Sequence, residues 1–266
     1  MKKSFLSLSV FLTLFLISCT KEEPKVIEEP SENILFFDDF EKGDLSKTEN
    51  NVSYGSSTYS SVSNKVKKDG EYSLQFYYKG GLSGEDAFAE QRISYPNTGE
   101  LWIKYDLYIP NNYTHRKEEN SASNNKFLAV YKSDYRYPGF HVNWSLSPNN
   151  TGGSNLTLHR YRNGTEQPSI SPSGGLGTNF ITEDDHGKWI HIMARVKAPS
   201  SEEATDGVMQ LWKNDVLVCD EKALNMYGGI DENFMNEMYL MGWSNSGYLE
   251  DTIFYIDNLS LSYSSF

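Results

Sequence analysis

Residues 101–109 read LWIKYDLYI and residues 189–196 read WIHIMARV, and these two stretches decide the fold. In both, the side chains alternate with a period of two, which is typical of strands that bury one face. Polar turn clusters, such as KDG at 68–70 and NTG at 97–99, separate further short stretches of the same kind. Between residues 34 and 266 no helical period lasts longer than about two turns. The sequence therefore predicts one all-β domain over 34–266, built as a two-sheet antiparallel β-sandwich.

The composition excludes several other classes of protein. The chain has 266 residues, with 24 Lys and Arg against 36 Asp and Glu, which gives a formal net charge of −12. Aromatic residues make up 14% of the chain, more than a disordered protein carries, and two cysteines are too few for a disulfide scaffold. An acidic surface repels a phosphate backbone, so we expect no nucleic-acid partner. We expect a monomeric folded domain that is large enough to bury a substantial core.

The first 33 residues have the features of an export signal. Two lysines precede an apolar run at 5–17, which is too short to span a bilayer and is typical of a signal peptide. Residues 16–19 (LISC) resemble a bacterial lipobox, and the TKEE that follows resembles the export signal of Bacteroidetes surface lipoproteins. The resemblance implies removal of residues 1–18, lipidation of Cys19, and an outer-membrane location with the lipid as the only membrane contact. Residues 19–33 would form a flexible acidic tether, and a plain secretory signal is the alternative.

Two candidate strands, FHVNWS at 140–145 and LTLHRY at 156–161, each carry polar side chains on one face. These side chains are His141 and Asn143 in the first stretch, and His159 and Tyr161 in the second. The residues between the stretches are turn-like, so we expect a hairpin whose pairing brings the four side chains within reach of one another. An ordinary solvated sheet face is the alternative, because antiparallel sandwiches commonly have one polar face per sheet.

Further charged residues are predicted to extend this face into a locally basic groove. Glu90 and Arg92 share a face in AEQRIS, Lys126 begins another strand, and His191 and Arg195 share a face in WIHIMARV. A uronate polymer needs such a groove, because its carboxylates must be neutralised where they bind. We predict an anionic polysaccharide as the partner. Four of these residues are predicted to bind the substrate: Glu90, Lys126, His191 and Arg195.

These residue types fit β-elimination on a uronate polymer. The reaction removes the proton at C5, next to the carboxylate, so an Arg, Asn or His must neutralise or hydrogen-bond that carboxylate. A Tyr or His then acts as the base, and a Tyr or His gives a proton to the leaving glycosidic oxygen. Hydrolysis would instead need two carboxylates flanking the bond, and we find no such pair on a strand. The predicted catalytic residues, without a distinction between base and acid, are His141, Tyr161, Asn143, Arg92 and His159.

The two ends of the domain carry a recognisable pattern, FFDDFEKGD at 36–44 and FYIDNLSL at 254–261. This pair resembles the first and last strands of concanavalin A-like jelly rolls. Over most of 34–266 the chain is similar to the polysaccharide lyases of that fold, of the glucuronan, alginate, ulvan and heparin lyase-like group. The resemblance implies neighbouring terminal strands and a structural calcium, and no organic cofactor. The calcium ligands would be Glu41, Asp44 and Asp257, for which solvated turn acids are the alternative.

Two functions from different classes therefore remain. The first is a polysaccharide lyase that cleaves a uronic-acid-containing polymer at the cell surface. The second is a non-catalytic carbohydrate-binding lipoprotein that captures glycan. Replacing His141 by Ala separates them, because a lyase would lose turnover by orders of magnitude whereas a binding protein would change only modestly.

Overall fold

A computed structural model of the chain describes residues 34–81, 87–118, 123–133, 135, 139–172 and 179–266. The proposed signal peptide, Cys19 and the acidic tether lie outside the described residues. The described residues belong to one compact unit. The described part contains strands β1 to β16 and a 3₁₀ turn at Glu183–Asp185. No helix in the described part is long and apolar enough to cross a membrane.

Sheet A is antiparallel and has the strand order β14-β13-β12-β7-β16-β5-β4, with β1 paired to β16. Its central β16 pairs β5 through residues 252–256 and β1 through residues 259–262, so that the first and last strands lie side by side. That arrangement confirms the pairing expected from the sequence. The strands of sheet A are β1 (Ile34–Asp38), β4 (Ser60–Ser63), β5 (Ser73–Tyr78), β7 (Glu100–Ile109), β12 (Lys188–Lys197), β13 (Gly207–Lys213), β14 (Val216–Leu224) and β16 (Thr252–Ser262).

Sheet B is also antiparallel and has the order β11-β10-β9-β8-β15-β6-β3-β2. Two-residue strands close both of its edges, which leaves little open backbone for edge-to-edge association. Its strands are β2 (Thr48–Glu49), β3 (Val52–Thr58), β6 (Ala87–Thr98), β8 (Asn125–Tyr131), β9 (His141–Pro148), β10 (Ser154–Arg162), β11 (Thr165–Glu166) and β15 (Met235–Ser244). The prediction of an all-β, two-sheet antiparallel sandwich of the jelly-roll type is therefore confirmed.

The main core consists of the apolar side chains that both sheets turn inward. Strand β12 contributes Ile192 and Ala194, and β9 contributes Val142 and Trp144, each fully buried. Burying a side chain the size of Val142 or Ile192 stabilises the fold by roughly 1.5–3 kcal/mol. The residues that alternate with Val142 and Trp144 point to the opposite side of sheet B. They too are buried, because a smaller aromatic cluster covers that outer face.

Candidate active site

The β9–β10 hairpin brings together the four polar residues that its sequence pattern selects. Asn143 and His159 are directly paired across the two strands. The Tyr161 ring stacks on the His141 ring, with centroids 4.6 Å apart and planes inclined by 17°. The predicted hairpin and its register are confirmed, and the outer face of sheet B holds a contiguous His/Asn/Tyr cluster.

Three tyrosines cover the middle of this face. Tyr131, at the end of β8, pairs with His141, and Tyr239 of β15 lies one strand further on. The Tyr135 ring lies 4.1 Å from the His141 ring and 5.9 Å from the Tyr239 ring, measured between centroids. Tyr135 and Tyr161 thus leave His141 only 1% exposed. The sequence-based reasoning missed these tyrosines.

Burial shifts the pKa values of His141 and Tyr135 in opposite directions. Burial, with smaller effects of Lys126 and His159, lowers the pKa of His141 to about 3, so its imidazole is neutral at physiological pH. Burial raises the pKa of Tyr135 to about 12, and its phenol keeps its proton under the same conditions. His141 is therefore a neutral ring beneath the face, and Tyr135 is a hydroxyl donor above it.

His159 is held in one orientation by a glutamate from the edge of sheet B. Its Nδ1 lies 3.0 Å from Oε1 of Glu166, which belongs to the two-residue strand β11. A carboxylate at that position accepts a hydrogen bond from Nδ1–H, which leaves the lone pair of the imidazole on Nε2. Nε2 is buried, and no described protein group hydrogen-bonds to it. The geometry is that of a carboxylate-oriented base.

Asn143 and Lys126 supply donors next to His159. The Asn143 Oδ1 accepts a hydrogen bond of 3.0 Å from Ser145, whereas its buried Nδ2 meets no acceptor among the described residues. Lys126 pairs with Ser145 on the neighbouring strand, and burial lowers the pKa of its amine while Glu166 opposes that change. A buried amide and a partly buried ammonium group together suit an anionic ligand.

A glycine makes room for Lys126. Gly242 of β15 has φ +130°, and a Cβ atom added there would lie 2.9 Å from the Cβ of Lys126. A separation below 3.0 Å would force the lysine or the strand to move. The close approach of the two backbones therefore requires glycine at this position.

A groove of about 240 Å³, the Lys126 groove, lies on the same face. Two aromatic residues at one end, Phe88 and Trp243, pack with their ring centroids 4.9 Å apart, and Trp243 is 43% exposed. Arg92 donates from Nε to Glu90 across 2.7 Å. The residues that line the groove are Phe88, Glu90, Arg92, Lys126, Tyr135, Tyr239 and Trp243.

The predicted catalytic residues do not all meet at one point. Arg92 lies on β6 and His159 on β10, and β15, β8 and β9 run between them. Four strand spacings place their Cα atoms roughly 19 Å apart along a flat sheet. The two side chains cannot both contact one sugar ring. The sequence prediction places Arg92 and His159 in one catalytic set, and the strand order separates Arg92 from the other four residues of that set.

His191 and Arg195 do not belong to this face at all. Both lie on β12 in sheet A, alternating with inward-facing Ile190, Ile192 and Ala194, so they point away from sheet B. His191 contacts Asp106 across 3.1 Å, and Arg195 donates to Glu100 across 2.8 Å. The prediction that they extend the groove is wrong, because alternation identifies a face but not the sheet that carries it.

The acids predicted to bind calcium are only partly brought together. Glu41 and Asp257 line one pocket, where Glu41 accepts backbone N–H bonds from Glu71 and Tyr72. Asp44 does not line that pocket and instead accepts from Ser46. Among the described residues, no group of three or more His, Cys, Asp or Glu could hold a metal ion. The three acids do not fit the predicted calcium shell, and calcium itself stays a prediction.

Known proteins resemble the chain in sequence profile and in fold. The profile described as "Polysaccharide lyase" matches residues 40–260, and the chain belongs to this polysaccharide lyase family. No curated protein matches the chain.

Solved structures with the same fold include two kinds of lyase. The endo-β-1,4-glucuronan lyase of the fungus Trichoderma reesei has a TM-score of 0.60 at 12% identity, covering 87% of this chain and 96% of its own. An alginate lyase from Chlorella virus has a TM-score of 0.59 at 12% identity, covering 87% and 100%. A mutant alginate lyase in complex with alginate trisaccharide has a TM-score of 0.55 at 15% identity, covering 81% and 88%. The predicted polysaccharide lyase with a jelly-roll fold is confirmed.

Proposed function

We propose that this polysaccharide lyase cleaves a uronate polymer by β-elimination on the outer face of sheet B. The proposal depends on one observation, the compact set formed by Lys126, Asn143, His159 with Glu166, and Tyr161 on strands β8 to β11. Donors for a carboxylate, an oriented base and a phenol stand side by side on neighbouring strands. The similarity to alginate and glucuronan lyases supports a uronate substrate.

In this proposal each residue has one role in the reaction. Lys126 and Asn143 bind the carboxylate of the sugar at the cleavage point and stabilise the negative charge that develops there. Once the bound polymer has gained access to the buried Nε2 of His159, that atom takes the proton from C5, and the electron pair forms the C4–C5 double bond. The C4–O4 bond breaks, and O4 takes the phenolic proton of Tyr161. Proton exchange with water then restores His159 and Tyr161.

The other members of the face support these groups. His141, neutral and stacked on Tyr161, fixes the position of the phenol. Arg92, two strands beyond β8, binds the carboxylate of a neighbouring sugar rather than the one being cleaved. Glu90 holds the Arg92 guanidinium in place. The polymer therefore crosses the strands of sheet B from β10 towards β6.

We also propose that the enzyme acts at the cell surface as an outer-membrane lipoprotein. The lipobox-like LISC and the Pro- and acid-rich stretch after Cys19 support this location. Replacing Cys19 by Ala should move the protein from the membrane fraction to the soluble fraction. A Cys19→Ala protein that stays in the membrane fraction would argue against the anchor.

Incubation with alginate, glucuronan, ulvan and heparin-type glycans tests the activity. At least one of them should yield products with the ultraviolet absorbance of the conjugated C4–C5 double bond. His159→Ala should reduce that rate by about 10²-fold or more, which is typical of losing a general base. His191→Ala, the matched control on sheet A, should retain the wild-type rate. Equal rates for both histidine variants would refute the assignment.

A further inference from the structure

A second cavity adjoins the Lys126 groove beyond its aromatic end. It has a volume of about 360 Å³ and is lined by Tyr59, Tyr77, Lys79, Gly80, Gly81, Ala87 and Phe88. Phe88 lines both cavities, and its partner Trp243 stands on the groove side. Phe88 is therefore a wall that the two cavities share. We call the second one the Tyr59 cavity.

Tyr59 presents its ring to solvent from a strained backbone. It occupies the turn between β3 and β4 with φ +51°, a left-handed conformation that costs a non-glycine residue about 1 kcal/mol or more. Its carbonyl accepts a hydrogen bond of 2.8 Å from the backbone N–H of Tyr77, which fixes the turn. The residue is 67% exposed. Neither packing nor turn geometry requires an aromatic side chain at this position.

The other walls combine a second aromatic ring with a cation. The Tyr77 hydroxyl donates to Asp251 across 2.6 Å, and Asp251 also accepts from the Gly80 backbone across 2.9 Å. Asp251 therefore orients Tyr77, and the charge of its carboxylate is compensated by these two donors and in part by Lys79. Lys79 is exposed and supplies the cationic group of the cavity. Aromatic faces that stack on sugar C–H groups, together with one ammonium for a carboxylate, match a uronate unit.

We propose that the Tyr59 cavity is a distal subsite that binds a uronate unit of the same polymer, beyond the unit held by Arg92. This inference rests on the proposed function, since it assigns the far end of the path that the polymer follows across sheet B. A polymer bound at both ends of the path is cleaved internally. Short oligosaccharides cannot reach both the Tyr59 cavity and the reacting groups on β8 to β10.

Chain-length dependence tests the subsite. Tyr59→Ala and Lys79→Met should each raise KM for the polymer about five-fold to ten-fold and leave kcat unchanged, because each removes one uniform binding contact. For the shortest oligosaccharide that the wild type cleaves, both variants should match the wild type. Tyr263→Ala and Lys65→Met, exposed residues outside both cavities, are the matched controls. If KM for the polymer is unchanged in these variants, or if KM rises equally for short and long substrates, the Tyr59 cavity is not a distal subsite.

Retention on immobilised polysaccharide separates failure of the subsite from failure of the proposed reaction. If the wild type cleaves no uronate polymer but is retained on one, the proposed reaction fails while the subsite remains testable. In that case Tyr59→Ala should elute earlier than Tyr263→Ala. If the two variants co-elute with the wild type, the subsite is wrong whatever the reaction.

Discussion

Replacing Glu166 by Gln should weaken catalysis by removing the charge that orients His159. The variant keeps the size of the side chain, but a neutral amide can present either an oxygen or an NH₂ group to Nδ1. With the NH₂ group facing it, the ring would carry its proton on Nε2 and could not accept one from C5. The fold should not change, because Glu166 is exposed on a two-residue edge strand.

The magnitude follows from the exposure of the pair. A charge-assisted hydrogen bond contributes about 1.5–3 kcal/mol when it is buried. The Glu166 side chain is 52% exposed, so solvent screening reduces the contribution to about 1 kcal/mol. That energy corresponds to a fall in kcat of about five-fold.

The assay compares kcat on the best uronate polymer with the tautomer of His159 read from ¹⁵N chemical shifts. The chain offers a matched control, because Thr48–Glu49 at the opposite edge of sheet B repeats the Thr-Glu sequence of Thr165–Glu166. Glu49→Gln should alter neither readout. If Glu166→Gln keeps the wild-type kcat, or if kcat falls while the Nδ1-protonated tautomer persists, Glu166 does not act through His159.

Four further predictions concern the charge of Lys126, the space at Gly242, the protonation of Asp257 and the binding of calcium. Burial lowers the pKa of Lys126, so the amine loses its charge below the usual range of lysine, and KM for the polymer should rise at a correspondingly lower alkaline pH. Lys126→Arg should move that rise to higher pH, and a KM that is flat throughout the range would contradict the role. Gly242→Ala should lower kcat/KM about ten-fold by displacing Lys126, whereas Gly99→Ala, where an added Cβ meets nothing within 4 Å, should have no effect. Burial raises the pKa of Asp257 from 3.8 to about 6, so its contribution to stability is present below 3.8 and lost as the pH rises through 6. Urea unfolding should show that the free energy of unfolding contributed by Asp257 falls by at most about 3 kcal/mol over this pH range. If calcium binds beside Asp257, adding it at neutral pH should raise Tm, and an unchanged Tm would count against that site.

The parts of the site that the sequence predicts are those that depend on local pairing. His141, Asn143, His159 and Tyr161 lie in two strands joined by a short turn-like segment, so alternation and loop length together determine their register. A pairing shifted by one residue would turn Trp144 from the core to the outer face of the sheet. The need to bury Trp144 therefore excludes that register. This hairpin could therefore be placed without knowledge of the rest of the fold.

The parts that the sequence does not predict depend on contacts between distant segments. His191 and Arg195 alternate as clearly as the hairpin residues, but only the strand order shows that β12 belongs to sheet A. Tyr135 lies between β8 and β9 and shows no periodic pattern, and Glu166 lies in a strand of two residues. Charge alone did not separate Glu166 from the many solvated acids of this chain.

Lys126 shows how a small irregularity changes a role. The β8–β9 register shifts between Lys126 and Leu128, which turns the lysine to the same face as Ala129 rather than to the core. Strict alternation along β8 would assign it to the opposite face. The bulge and the space left by Gly242 place the Lys126 amine on the outer face of sheet B. There it can bind the carboxylate of the sugar being cleaved, a more specific role than the general substrate binding predicted from the sequence.

Mass spectrometry of the products from the best uronate polymer distinguishes β-elimination from hydrolysis. β-Elimination by His159 and Tyr161 predicts oligosaccharides that carry a C4–C5 double bond at the non-reducing end and are one water molecule lighter than their saturated counterparts. The His159→Ala protein should give almost none of these products, and the His191→Ala protein should give as much as the wild type. Saturated products would indicate hydrolysis and contradict β-elimination. Unsaturated products formed equally well by His159→Ala would contradict the role of His159 as the base.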